Sequence, residues 1–96
     1  MEREAVIVSA VRTAVGSFGG SLRGWSIRDL GGAVIKEALA RAGVDPGIVD
    51  EVIMGNVNPP ASCLNVGKEA ALKAEVPVHV PGYTVNRLCG SGLQAI

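Results

Sequence analysis

The chain has 96 residues, 48% of them hydrophobic, and nine basic side chains balance nine acidic ones to a formal net charge of zero. At this length one domain or part of one is expected, and folding buries only roughly 60% of the unfolded surface. The apolar content excludes a disordered tail, and the balanced charge with one Trp, one Tyr and one Phe excludes a basic, base-stacking surface for nucleic acid.

The cysteines are Cys63 and Cys89 and the single histidine is His79, with no zinc-like spacing among them, so no structural metal is expected. The opening "MEREAVIVSAVR" carries charges on both sides of a short apolar run, unlike a signal peptide. No apolar stretch approaches the length that crosses a bilayer. The expected setting is therefore cytoplasmic, with both thiols reduced and no membrane partner.

"AVIVSAVR", Ala5 to Arg12, is a valine-rich run apolar on both alternating faces, which predicts a strand covered on both sides in a parallel sheet. "TAVGSFGGSLRG" then spaces Gly16, Gly19, Gly20 and Gly24 through polar residues and reads as a long loop. It lacks the Lys-Ser/Thr ending of a phosphate-binding loop. "SIRDLGGAVIKEALARAG" is the clearest helix. Ser26 and Asp29 form a capping-box pattern, and Ile27, Leu30, Val34, Ala38 and Leu39 share one face. Glu37 and Arg41 pair at i,i+4, and Gly43 stands at the terminating position. Gly31 and Gly32 weaken such a helix by about 1 kcal/mol each relative to alanine, so they are expected to permit close packing.

Asp45 and Pro46 predict a single helical turn, followed by a strand near Glu51 to Val57. "NPPAS" breaks the chain, and a second helix is expected over roughly Leu64 to Glu75, ending before Pro77. A third strand is expected around Tyr83 to Asn86. The order β-α-β-α-β and then a helix start is that of an open α/β sheet with crossovers.

In such a sheet ligands gather where strands lead into helices. Cys89 falls in that turn, in "VNRLCGSGLQAI". Gly90 and Gly92 allow a sharp bend, and "LQAI" starts an apolar helix pattern. A helix amino terminus favours thiolate over thiol, and the turn can offer backbone N–H groups to a developing oxyanion. This is the logic of a nucleophile elbow. "GSGLQA" also fits G-x-G-x-x-A, but that fingerprint belongs to a first strand-to-helix turn, and this is the third. The remaining alternative is that Cys89 is a small buried hydrophobe. Spacing alone leaves nucleophile and buried residue nearly even.

"TVNRLCGSGLQAI" resembles the acyl-enzyme signature of the thiolases. "IVSAVRTAVGSFGGSL" resembles their amino terminus, and "EVIMGNV" with "AALKAEVPVHVPGYTVNR" resembles the segments leading to the nucleophile. The resemblance runs along essentially all of residues 1–96. It implies a partial thiolase amino-terminal domain, an incomplete half of an αβαβα layered α/β fold. It further implies that Cys89 takes the acyl group of an acyl-CoA and passes it to a second acyl-CoA or, in reverse, to CoA. No permanently bound cofactor is implied, and the CoA thioesters are substrates. A homo-oligomer, dimer or tetramer, is implied for the full-length form, with a place in fatty acid metabolism. Ketoacyl synthases and HMG-CoA synthase share the fold, but "NRLCGSG" and "RTAVGSF" resemble thiolases proper.

Thiolases are several-fold longer, and their activating histidine, second cysteine and Asn-His pair belong to segments outside this sequence. The family usually has a Gly-Gln pair and then an arginine where this chain has Cys63, Leu64 and Lys68, and lysine lacks arginine's bidentate fork. Cys63 is expected to be a small buried residue and His79 to have a structural or surface role, while Arg87 either raises local positive potential or has a solvated or structural role. A second class of reading is a non-catalytic remnant or self-associating module that keeps the nucleophile turn.

Overall fold

The computed structural model describes residues 2–96. Helix α1 spans Ile27–Ala42, a 3-10 turn spans Pro46–Ile48, and strand β1 is Val52–Gly55. Helix α2 is Val66–Lys73, strand β2 is Gly82–Val85, and a short helix α3 covers Ser91–Ala95.

Local chemistry sets these boundaries. Ser26 Oγ accepts the Asp29 N–H at 3.1 Å while the Asp29 carboxylate accepts the Ser26 N–H at 3.2 Å, closing the capping box. Gly43 ends α1 at φ 66°, the left-handed conformation that glycine adopts without penalty. Asn65 Oδ1 caps α2 by accepting the Lys68 N–H at 3.2 Å. The helix expected over 64–75 is shorter at both ends, because Asn65 takes the cap and Glu75 turns left-handed at φ 66°.

β1 and β2 pair in parallel with Val52 opposite Gly82 and Gly55 opposite Val85. Antiparallel neighbours can be joined by a hairpin, whereas a parallel pair needs a crossover, and α2 is that crossover. The core lies between the strands and the helices: Val52, Ala71, Ala74, Val76 and Val80, with Ile35, Leu39, Val49 and Met54 against them. These side chains are small, so the layers approach closely. A Cβ on Gly31 would stand 2.7 Å from that of Ala70, and one on Gly82 would stand 2.8 Å from the Lys68 backbone. Glycines thus set the spacing of α1 on α2 and of α2 on β2.

One expected element is absent. Residues 5–12 form no strand, and Val6, Ile7 and Val8 are 70%, 77% and 68% exposed. The valine-rich pattern describes how such a segment would pack, but a strand also needs a ladder partner, and the two-stranded sheet of the described residues pairs only β1 with β2. The segment instead shares an apolar groove with Val34, Ile35, Ala38 and Ile96 through Ile7, Ser9 and Val11. Among the described residues the order is therefore α-β-α-β-α.

Candidate active site

Because β1 and β2 are parallel, their carboxyl ends, Gly55 and Val85, lie side by side, joined beyond the pairing by Asn56 N–H donating to Val85 O at 3.1 Å. The connection to α2 leaves from one and the connection to α3 from the other. Cys89 sits in the second connection and is exposed, while Cys63 sits in the first and is buried. In this chain Cys89 is thus exposed, unlike the small buried hydrophobe that was the alternative for it, and it lies between β2 and α3 as expected.

The turn carrying Cys89 is built around its neighbour. Leu88 adopts φ 47°, a left-handed conformation unusual for a residue with a branched side chain. Both of its backbone groups are held by side chains. Its N–H donates to Asn86 Oδ1 at 3.0 Å, and its carbonyl accepts from Ser91 Oγ at 2.6 Å and from Ser91 N at 3.1 Å. Ser91 Oγ also accepts the Arg87 N–H at 2.8 Å. Ser91 is only 4% exposed, the buried polar residue of the described chain. Asn86 reaches across to the other connection, where its Nδ2 donates to Val57 O at 3.1 Å.

Space for this turn is made by Gly55. A Cβ there would stand 2.6 Å from Ser91 C and 2.7 Å from Gly92 N, so the first turn of α3 rests directly on the end of β1. Helix α3 is a short segment, Ser91–Ala95, with no side-chain cap. The N–H groups of Gly90 and Ser91 are spent on the carbonyls of Arg87 and Leu88. These two groups therefore hold the turn rather than face a ligand. The Arg87 guanidinium donates to the Gln94 side-chain oxygen, and with Gly90, Leu93 and Ile96 these two line an open recess beside the turn.

The other singled-out residues lie elsewhere. Cys63 is 2% exposed. Burial pushes its thiol up, Glu69 pushes the same way, and Arg28 opposes. Arg28 pairs with Glu69 at 3.6 Å and donates to Ser62 O at 3.1 Å. Cys63 is thus a small buried residue, as expected. His79 is exposed and precedes β2, whereas Cys89 follows it, so the strand separates them. Lys68 Nζ donates to Val78 O and Val80 O, each at 2.7 Å, and so fastens α2 to the loop before β2. A lysine point charge meets two converging carbonyls without needing arginine's fork. Among the described residues no three His, Cys, Asp or Glu side chains group as metal ligands, and no helix is long and apolar enough to cross a membrane.

Sequence reasoning missed Asn86, Ser91 and the left-handed Leu88. The available signal was Asn86 two residues before Leu88, the spacing at which an Asn side chain accepts a backbone N–H. Ser91 carried none, because its burial depends on β1, which is remote in sequence.

The fold and this turn define a small α/β layer with a cysteine at a strand-to-helix connection, and comparison with known proteins specifies its family. Residues 5–96 match the family model described as thiolase, N-terminal domain. The chain belongs to the thiolase family. It is 55% identical over 93 residues to an acetyl-CoA acetyltransferase of Cupriavidus necator, an alignment covering 97% of this chain and 24% of that protein. The crystal structure of the Bacillus anthracis acetyl-CoA acetyltransferase matches with a TM-score of 0.89 and 44% identity, over 93% of this chain and 23% of that one. A thiolase of Ascaris suum, crystallised in complex with coenzyme A, matches with a TM-score of 0.88 and 35% identity. The chain therefore has the fold of the amino-terminal portion of a thiolase and spans about a quarter of these relatives.

Proposed function

We propose that this chain is the amino-terminal part of a thiolase-type acyl-CoA acyltransferase in which Cys89 is the acyl-carrying nucleophile. The observation that supports it is the placement of Cys89: an exposed thiol on a left-handed turn at the carboxyl ends of parallel strands, within the matched thiolase segment. Its relatives include acetyl-CoA acetyltransferases, and one structural neighbour was crystallised with coenzyme A, so CoA thioesters are the proposed substrates.

In the proposed half-reaction Cys89 Sγ, having given up its proton, attacks the thioester carbonyl of acetyl-CoA. A carbon–sulfur bond forms to Cys89, the bond to the CoA sulfur breaks, and the CoA thiolate takes up the proton. The acetyl-enzyme then passes its acyl group to the α-carbon of a second acyl-CoA or back to CoA. No group in the described turn is a base for Cys89: Arg87 is cationic and bound to Gln94, and His79 lies beyond the other end of β2. The proton acceptor, the acid/base at the α-carbon and the oligomeric contacts are proposed to come from segments outside these 96 residues.

The test is acetyl-CoA labelling at neutral pH followed by peptide mass mapping. Cys89 should carry the acetyl group, Cys63 should not, and Cys89→Ser should abolish the adduct. Acetylation no faster at Cys89 than at Cys63 refutes the nucleophile assignment. Sustained acetoacetyl-CoA thiolysis by residues 1–96 alone refutes the need for further segments.

A further inference from the structure

We propose that Asn86 is the positioning residue of Cys89, holding the backbone before it in the conformation that aims the thiol. This rests on Cys89 being the nucleophile. A left-handed residue with a side chain persists only where its surroundings over-determine it. Leu88 is such a residue, and it immediately precedes Cys89. Its carbonyl is held by Ser91, a buried residue whose backbone rests against Gly55 at the end of β1. That half of the turn is anchored by packing. The N–H half is held by a single side chain, Asn86, through the 3.0 Å bond to Oδ1.

Asn86 is itself oriented by its second bond, from Nδ2 to Val57 O at 3.1 Å. That bond fixes which end of the carboxamide faces Leu88, because only the NH2 can donate to Val57 and only the oxygen can accept from Leu88. It also joins the connections leaving the two strands, so the direction of Cys89 is referred to β1 as well as β2. Without Asn86, Leu88 relaxes toward negative φ and rotates the Cα–Cβ bond of the following residue. A misplacement of about 1 Å at a reacting atom costs on the order of 100-fold in rate.

The experiment measures acetyl-Cys89 formation from acetyl-CoA as a function of concentration, in the chain as its gene encodes it. Iodoacetamide labelling of Cys63 runs in parallel to report unfolding, since Cys63 is 2% exposed in the folded state. Asn86→Ala is expected to lower the maximal acetylation rate at least about tenfold, with the half-saturating concentration changed less than about twofold, as for a loss confined to the reacting geometry. Cys63 should stay protected. Asn86→Asp keeps an oxygen for the Leu88 N–H and should retain at least about a third of the wild-type maximal rate. A maximal rate for Asn86→Ala within about twofold of wild type overturns the proposal. If Asn86→Ala exposes Cys63, the decision passes to Asn86→Asp, and any larger loss of rate in that variant overturns it. Failure of the wild-type chain to acetylate Cys89 refutes instead the acyl-enzyme reading on which the proposal rests.

Discussion

Gly55→Ala tests the link between the sheet and the candidate site. The added methyl would stand 2.6 Å from Ser91 C and 2.7 Å from both Gly92 N and Ser91 O, whereas real Cβ atoms essentially never come within 3.0 Å. Ordinary carbon contacts lie at about 3.5–4.0 Å, so the two segments must separate by nearly 1 Å. The obstructing atoms are backbone, which cannot rotate aside as a flexible side chain would. Overpacking of this kind costs about 1–3 kcal/mol. Separation also pulls Ser91 Oγ from the Arg87 N–H at 2.8 Å and the Leu88 carbonyl at 2.6 Å. Weakening those part-buried bonds adds about 1–2 kcal/mol, for a total of roughly 2–5 kcal/mol. Against a domain stability of about 5–15 kcal/mol, this is a large fraction. Denaturant unfolding followed by circular dichroism gives the stability change, and acetyl-CoA labelling of Cys89 gives the site's response. Gly24→Ala is the control, because its added Cβ meets nothing within 4 Å, and surface changes of that kind stay within about 0.5 kcal/mol. A loss below about 1 kcal/mol for Gly55→Ala, with wild-type labelling of Cys89, would refute the claim that β1 supports the turn.

Two further substitutions probe the frame around the site. Lys68→Met removes the charged donor to Val78 O and Val80 O. It should lower stability by about 1.5–3 kcal/mol in the same unfolding assay, and an unchanged midpoint would show those bonds to be dispensable. Asp29 is held below the ordinary carboxylate range, first by its backbone bond to Ser26, then by the Ser26 side chain, with Lys73 contributing. Its folded pKa is lower than its unfolded one, so its contribution is present above the unfolded pKa and disappears as pH falls through the folded pKa, below about pH 4. Asp29→Asn replaces the carboxylate with a neutral carboxamide and should flatten that acid limb of the stability-versus-pH curve. A limb as steep as wild type would rule out Asp29 as a contributor.

Helix α1 was legible because its determinants are local: Ser26, Asp29 and Gly43 act within a few residues, and the apolar spacing is written along one face. The strand-to-helix position of Cys89 was legible for the same reason, since "YTVN" and the glycines after Cys89 mark a strand end and a bend. Residues 5–12 show the limit. Their apolar pattern states a capacity for burial, while strand formation is decided by a partner that the β1–β2 sheet does not supply.

By itself, then, the sequence determined the order of local elements from Ser26 onward, the family resemblance and the candidate nucleophile, because each rests on residues adjacent in the chain. Only the tertiary structure decided that Cys63 is buried and Cys89 exposed, that Ser91 is sealed against Gly55, and that Asn86 bridges Leu88 and Val57. Those outcomes depend on the parallel pairing of β1 with β2. Pairing brings together backbone atoms that are distant in sequence, and solvent exclusion and hydrogen bonding between them leave no periodic trace in the letters.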